Sequence, residues 1–234
     1  FILMSILGVA LFLFVTFSLP ETIQIKNSKA VNPIILLKTW YSIIINTKFL
    51  IYAICASFTT AGFYAYVTVS PILLREILGM SAFGYGLSFA FLALSYVISN
   101  IIASQLVTWI GQLRLIAIGN FMLLFGGSVI LLLSIIKINN PFAILIPTAV
   151  YFFGIGWVVP QSNALAIQPF PNSAGAASAL LGFISMLVSA LMGFLLSLII
   201  HNDATYLSLA MLISGLLAYT IYWIFIKSED NKKL

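Results

Sequence analysis

Seven long apolar runs constrain the fold of this chain more than any other feature of its sequence. Each run approaches or exceeds the roughly 20 residues that a helix needs to cross a bilayer. None has a lysine or arginine in its interior, and none shows the alternation of apolar and polar residues found in membrane β-barrels. The runs are residues 1–19, 49–70, 82–108, 115–136, 142–165, 174–200 and 204–226. The sequence therefore predicts an all-α fold, a polytopic transmembrane helical bundle.

The composition excludes a soluble domain and gives no support to an enzyme. Of the 234 residues 62% are hydrophobic and only 6% are charged, whereas soluble domains carry about 25% charged residues. The chain has one histidine and one cysteine, and none of its five acidic residues lies inside an apolar run. A nucleophile with its base, or a cluster of metal ligands, is therefore not expected. We expect no catalytic residue, no metal and no cofactor.

The basic residues predict which ends of the runs face the cytoplasm. Of the ten lysines and arginines, eight lie between the first two runs, in the turn after the third run, or after the last run. The other two are Arg75 and Lys137, which follow the second and fourth runs. Cytoplasmic segments retain positive charges. We therefore predict that the long loop and the C-terminal tail are cytoplasmic.

Two loops have distinctive sequences. Within residues 20–48, Asn32 can cap a helix, Pro33 suits its first position, and an apolar segment with Lys38 inside it follows. This segment of about twelve residues is too short to span a bilayer, so we predict a helix that lies on the membrane surface. After the second run we predict an external loop over residues 71–80, because Pro71 lacks a backbone donor.

Polar and aromatic side chains recur at helical spacing on the second, third and fifth runs. Polar groups in a membrane must face protein or water, so we expect these faces to point inward around a substrate cavity. The expected substrate contacts are Thr59, Phe63, Tyr66, Ser95, Tyr96, Tyr151 and Gln161. Packing between neighbouring helices is the alternative for each of them.

Residues 160–193 join two runs through a polar elbow and then place small residues on one helix face. Pro169 and Pro171 predict that the fifth run ends near Gln168. Small residues at spacings of three and four allow a neighbouring backbone to approach closely in a membrane. The residues expected to serve helix packing or conformational change are Pro160, Gly175, Ser178, Gly182, Ser189 and Gly193. Static packing and a sliding surface both fit this pattern.

Four local motifs carry a family resemblance. They are Leu19-Pro20-Glu21-Thr22, the segment from Tyr64-Ala65-Tyr66 to Ser70-Pro71, the turn from Gln105-Leu106-Val107 to Gly111, and Pro160 followed by the segment from Pro171-Asn172-Ser173-Ala174 to Leu181-Gly182. Together they resemble the bicyclomycin/chloramphenicol resistance (Bcr/CflA) branch of the major facilitator superfamily. The resemblance covers essentially the whole chain, and its last motif is the most specific.

The resemblance implies helices six to twelve of a twelve-helix transporter whose two halves rock around a central cavity. Residues 1–19 would be the last helix of the N-terminal half, and residues 20–48 the cytoplasmic central loop with its interfacial helix. Residues 49–226 would form the six-helix C-terminal half, and residues 227–234 the cytoplasmic tail. The chain begins without an initiator methionine, so we expect it to be a fragment whose N-terminal half is missing.

The resemblance also implies a function, which is proton-coupled antiport of drugs across the bacterial inner membrane. The implied partners are the lipid bilayer, protons, hydrophobic or amphipathic small molecules, and the missing N-terminal half. Proton coupling is expected to use residues outside this chain, because no run contains an acidic residue. The net charge of +5 follows from topology, so no nucleic acid is expected as a partner. The alternatives are a channel or uptake permease of the same fold, or a non-functional truncated relic.

Overall fold

The computed structural model describes residues 2–18, 33–137, 140–199 and 204–226. All secondary structure in these residues is helical, which confirms the predicted all-α fold. The α-helices are α1 (Ile2–Ser18), α2 (Pro33–Ile45), α3 (Thr47–Ser70), α4 (Ala82–Ile110), α5 (Gln112–Ile135), α6 (Pro141–Ile167), α7 (Ala174–Ile199) and α8 (Ala204–Ile221). The predicted tail and residues 20–32 of the predicted central loop lie outside the described residues.

Six of the described helical segments are long and apolar enough to cross a membrane. They are Thr47–Ile77, Ala82–Ile110, Gln112–Ile135, Pro141–Ile167, Pro171–Leu198 and Thr205–Phe225, and each corresponds to one of the last six predicted runs. Helices α1 and α2 are shorter, with 17 and 13 residues. The chain forms two compact units, Phe1–Lys38 and Thr39–Leu234, and α3 to α8 all belong to the second unit.

Local interactions explain where three of the helices begin. The Asn46 side chain accepts a hydrogen bond from the Phe49 amide at 3.0 Å and caps α3. Ser81 caps α4 by accepting a hydrogen bond from the Gly84 amide at 3.1 Å. Gly111 alone separates α4 from α5 and has φ = 81°, a conformation that glycine adopts without strain. The turn expected to begin at Gln105 is therefore confined to Gly111, because α4 continues to Ile110.

The predicted loop over residues 71–80 is wrong for most of its length. Helix α3 continues into a π-helical segment, Pro71–Ile77, in which the Leu78 amide donates to the Leu73 carbonyl at 3.1 Å. Leu73 and Leu74 are buried in this segment. Van der Waals packing of these two side chains against the rest of the bundle stabilises helical structure at a point where Pro71 supplies no backbone donor.

The structure of the polar elbow agrees closely with the helix end predicted near Gln168. Helix α6 ends at Ile167 with Gln168 as its C-cap, and a 3₁₀ turn, Pro171–Ser173, leads into α7. Inside α6, the helix runs continuously through Pro147 and Pro160.

Helices α3, α5, α6 and α8 form the centre of the second unit. Helix α5 packs against α6 and α8, α3 packs against α6, α7 and α8, and α4 packs mainly against α6. In the most apolar 18-residue stretch of each helix, 56% of α3 and 61% of α6 are buried, whereas only 22% of α4 and of α7 are buried. The centre is tightly packed: a Cβ atom on Gly126 of α5 would lie 2.8 Å from the Pro147 carbonyl oxygen of α6. Helices α4 and α7 therefore leave large exposed faces.

Candidate substrate cavity

A cavity of about 360 Å³ lies where α3, α4 and α6 meet. Ala93 and Tyr96 on α4 are exposed, whereas Phe152 and Ile155 on α6 are buried, so the cavity is deepest against α6. Its lining residues are Thr60, Phe63, Tyr64, Phe89, Ala93, Tyr96, Phe152, Ile155 and Val159. Apart from the Thr60 and tyrosine hydroxyls, this lining is apolar or aromatic, as in sites for hydrophobic ligands.

Aromatic rings in mutual contact form the wall of the cavity. The Phe63 and Phe152 ring centroids are 5.3 Å apart, and Phe63 meets Tyr64 edge-on at 5.2 Å. Behind the wall, Tyr66 is fully buried and packs edge-on against Phe152 at 5.6 Å. Tyr66 also contacts Phe89, at 6.4 Å. Such ring pairs are worth about 0.5–1.5 kcal/mol beyond their buried area, so they hold the wall in shape.

Two of the seven expected substrate contacts, Phe63 and Tyr96, line this cavity, and Tyr66 lies directly behind its wall. The structure places the other four elsewhere. Their contribution to substrate contact stays a prediction.

Three of these four residues form hydrogen bonds with backbone carbonyls. Thr59 donates to Cys55 on its own helix at 2.9 Å, and Ser95 donates across to Ala149 of α6 at 2.8 Å. Tyr151 is fully buried and donates to the Met211 carbonyl of α8 at 3.2 Å, so its ring points away from α4. Gln161 is buried on α6 and is not among the lining residues.

The cavity is lined by the three helices that the sequence pattern selected, but at two positions by the residue next to the expected one. The cavity is lined by Thr60 where Thr59 was expected and by Phe152 where Tyr151 was expected. One residue rotates the side chain by about 100° around a helix of 3.6 residues per turn. The run Tyr151-Phe152-Phe153 is aromatic at every position, so spacing could not show which ring lines the cavity. Phe89 and Ile155 were missed because apolar residues surround them on every face.

The small residues of α7 divide into two groups. Near its N-terminus Gly175, Ser178 and Gly182 are exposed, and a Cβ atom on either glycine would meet no atom within 4 Å. Further along, Ser189 is buried and donates to the Ser185 carbonyl at 2.7 Å, and a Cβ atom on Gly193 would lie 3.4 Å from the Thr68 hydroxyl of α3. In this chain, only the second group packs closely against a neighbouring helix.

Comparisons with known proteins point to one family. The protein-family model described as Major Facilitator Superfamily matches residues 1–193 of this chain. The uncharacterised MFS-type transporter YdgK of Bacillus subtilis (strain 168) is 26% identical over 206 residues, which cover 88% of this chain and 50% of the relative. The bicyclomycin resistance protein homolog of Haemophilus influenzae is 26% identical over 200 residues, or 84% of this chain and 49% of the relative.

The multidrug transporter MdfA of Yersinia pestis bv. Antiqua is similar over nearly the whole of this chain. It is 25% identical over 236 aligned positions, which cover 99% of this chain and 56% of the relative. The chain therefore spans about half the length of the curated relatives it matches. These names point to a transporter rather than an enzyme.

Proposed function

The chain belongs to the Major Facilitator Superfamily, and from this membership we propose that it is part of a transporter that exports hydrophobic or amphipathic small molecules from bacterial cells. The names of two relatives, a bicyclomycin resistance protein homolog and a multidrug transporter, support efflux as the direction of transport. The proposed location is the inner membrane, with the C-terminus in the cytoplasm.

The observation that carries this proposal is the aromatic cavity between α3, α4 and α6. Its volume of about 360 Å³ suits a small organic molecule. Flat aromatic surfaces bind many apolar molecules with little discrimination, since they offer area rather than fixed hydrogen bonds. The Thr60, Tyr64 and Tyr96 hydroxyls supply polar groups at its edge.

We further propose that a second transporter half completes the cavity on its exposed side. Ala93 and Tyr96 line the cavity from α4, which like α7 leaves most of its surface uncovered. A half that rocks against this one would give the cavity access to each side of the membrane in turn. In this proposal residues 49–226 act as the C-terminal half, and residues 1–19 as the last helix of the other half.

The proposed role of the cavity in substrate binding is tested by measuring dye export from cells of the source bacterium. Cells in which this coding sequence is disrupted should export a lipophilic fluorescent dye more slowly than wild-type cells. Restoring the gene with Phe63→Ala should raise the half-saturating dye concentration by roughly tenfold, which corresponds to the loss of about 1.4 kcal/mol of binding. The matched control is Phe121→Ala, because Phe121 is 62% exposed on α5 and does not line the cavity.

Equal efflux from disrupted and wild-type cells across a panel of lipophilic dyes would contradict the proposed function. If Phe63→Ala and Phe121→Ala export the dye alike at equal membrane abundance, the cavity is not the substrate site.

Proton coupling is proposed to depend on groups that this chain does not supply. Four of its five acidic residues lie outside the described residues, and the fifth, Glu76, is exposed in the π-helical segment after α3. Coupling needs a group that titrates inside the bundle while substrate is bound. Reconstituted alone in proteoliposomes with a pH gradient, the chain should show no gradient-driven flux of the dye. Flux that an uncoupler abolishes would refute this and would direct attention to Glu21 or His201.

A further inference from the structure

Polar side chains from three of the four central helices meet at a place that does not line the aromatic cavity. Cys55 of α3, Asn120 of α5 and Ser162 of α6 each have 0% exposure. The Cys55 thiol lies beside the Ser162 hydroxyl and the Asn120 amide, and its sulfur is 3.8 Å from the Ala218 carbonyl oxygen of α8. We call Cys55, Asn120 and Ser162 the central polar cluster.

The hydrogen-bonding groups of this cluster are largely unsatisfied by the protein. Both polar atoms of the Asn120 amide and the Ser162 hydroxyl are buried and form no hydrogen bond of normal geometry, and the group beside them is the Cys55 thiol, a weak donor and acceptor. An asparagine amide can form up to four hydrogen bonds, so Asn120 alone leaves several sites open. Buried polar groups in folded proteins nearly always have a partner, which is protein or ordered water.

Hydroxyl groups elsewhere in the bundle do find partners on their own helix. Ser57, Thr59 and Thr148 each donate to the carbonyl four residues earlier, at 2.6 to 2.9 Å. The Ser162 hydroxyl lacks such a bond. Ser162 therefore differs from these three residues, and the Cys55 thiol lies beside it.

We propose that the central polar cluster binds one or more ordered water molecules. Amide and hydroxyl groups offer both donors and acceptors, which water complements by making two to four hydrogen bonds. No charged side chain of the described part of the chain belongs to the cluster, and a neutral ligand is therefore favoured over an ion. The water would link α3, α5 and α6 through hydrogen bonds.

Cys55 provides a specific reporter for this water, because it is the one cysteine of the chain. Its S–H stretching band is isolated as the infrared difference between the wild-type protein and Cys55→Ala, in lipid membranes. On transfer to D₂O we expect the band to move to the S–D position at least tenfold faster than that of a thiol at a dry, equally buried position. The control thiol is Ala65→Cys in the Cys55→Ala background, because Ala65 has 0% exposure within the apolar core on the same helix.

Asn120→Leu removes the amide and should slow the exchange of the Cys55 thiol towards the rate of the control thiol. Ser162→Ala is a smaller change and should slow the exchange in the same direction. The proposal is overturned if Cys55 in the wild-type protein exchanges as slowly as the control thiol. It is also overturned if Asn120→Leu folds and leaves the exchange rate of Cys55 unchanged. The wild-type comparison decides the matter even where a variant fails to fold.

Discussion

Tyr151 shows how a single buried side chain can position three helices at once. Its ring lies on α6, its hydroxyl reaches the Met211 carbonyl of α8, and its atoms fill the space beside Gly62 of α3. A Cβ atom on Gly62 would overlap the Tyr151 hydroxyl group and ring. The glycine is therefore needed for close packing, and the tyrosine supplies both volume and a hydrogen bond between helices.

Gly62→Ala should destabilise the protein by about 1–3 kcal/mol, because the added methyl group forces Tyr151 or α3 to move. The measurement is the thermal unfolding midpoint in a mild detergent. The control is Gly182→Ala, where a Cβ atom would meet nothing within 4 Å. Since alanine favours a helix by about 1 kcal/mol over glycine, this control should leave the midpoint unchanged or raise it. A midpoint for Gly62→Ala equal to that of the control would contradict the packing described at Tyr151.

At the scale of the element, α6 contacts α3, α4 and α5 and carries two prolines in its interior, Pro147 and Pro160. A proline inside a helix removes one backbone hydrogen bond and so lowers the resistance of the helix to bending. Pro160 follows Val159, which lines the cavity. A change of shape at this point would therefore reach the cavity wall directly.

Pro160→Ala should restore the missing hydrogen bond, raise the unfolding midpoint of the transporter and slow dye efflux severalfold, if bending of α6 accompanies transport. Pro141→Ala is the matched control, because Pro141 is the first residue of α6, where no hydrogen bond within the helix is lost. The control should leave efflux unchanged. Unimpaired efflux in Pro160→Ala at equal abundance would show that α6 serves as a rigid support.

At the scale of the whole molecule, the distribution of positive charge makes the strongest prediction. Eight of the ten basic residues lie on one predicted side of the membrane. A reporter enzyme that works only in the cytoplasm should therefore be active when fused after Leu234. A reporter that works only outside the cytoplasm should be active when inserted at Asn139. Opposite labelling at both positions would reverse the proposed orientation and with it the assignment of the central loop.

The sequence by itself determined the number and placement of the long helices in the second unit. A helix in a membrane must satisfy its backbone hydrogen bonds internally, so an uninterrupted apolar run and its flanking prolines, glycines and caps are enough to locate it. Gly111 and the proline pair at 169 and 171 marked boundaries that the structure confirms. The loop predicted from Pro71 is wrong, because Leu73 and Leu74 are buried by tertiary contacts. A local signal such as a single proline carries no information about those contacts.

Only the tertiary structure decided which side of each helix faces which neighbour. These helices carry apolar residues on every face and few polar ones, so the sequence carries little signal for rotation about the helix axis. The choice between Thr59 and Thr60, or between Tyr151 and Phe152, depends on how side chains from α3, α4, α6 and α8 fill space together. The same is true of the central polar cluster, because Cys55, Asn120 and Ser162 are far apart in the sequence and only close packing of the helices places them side by side.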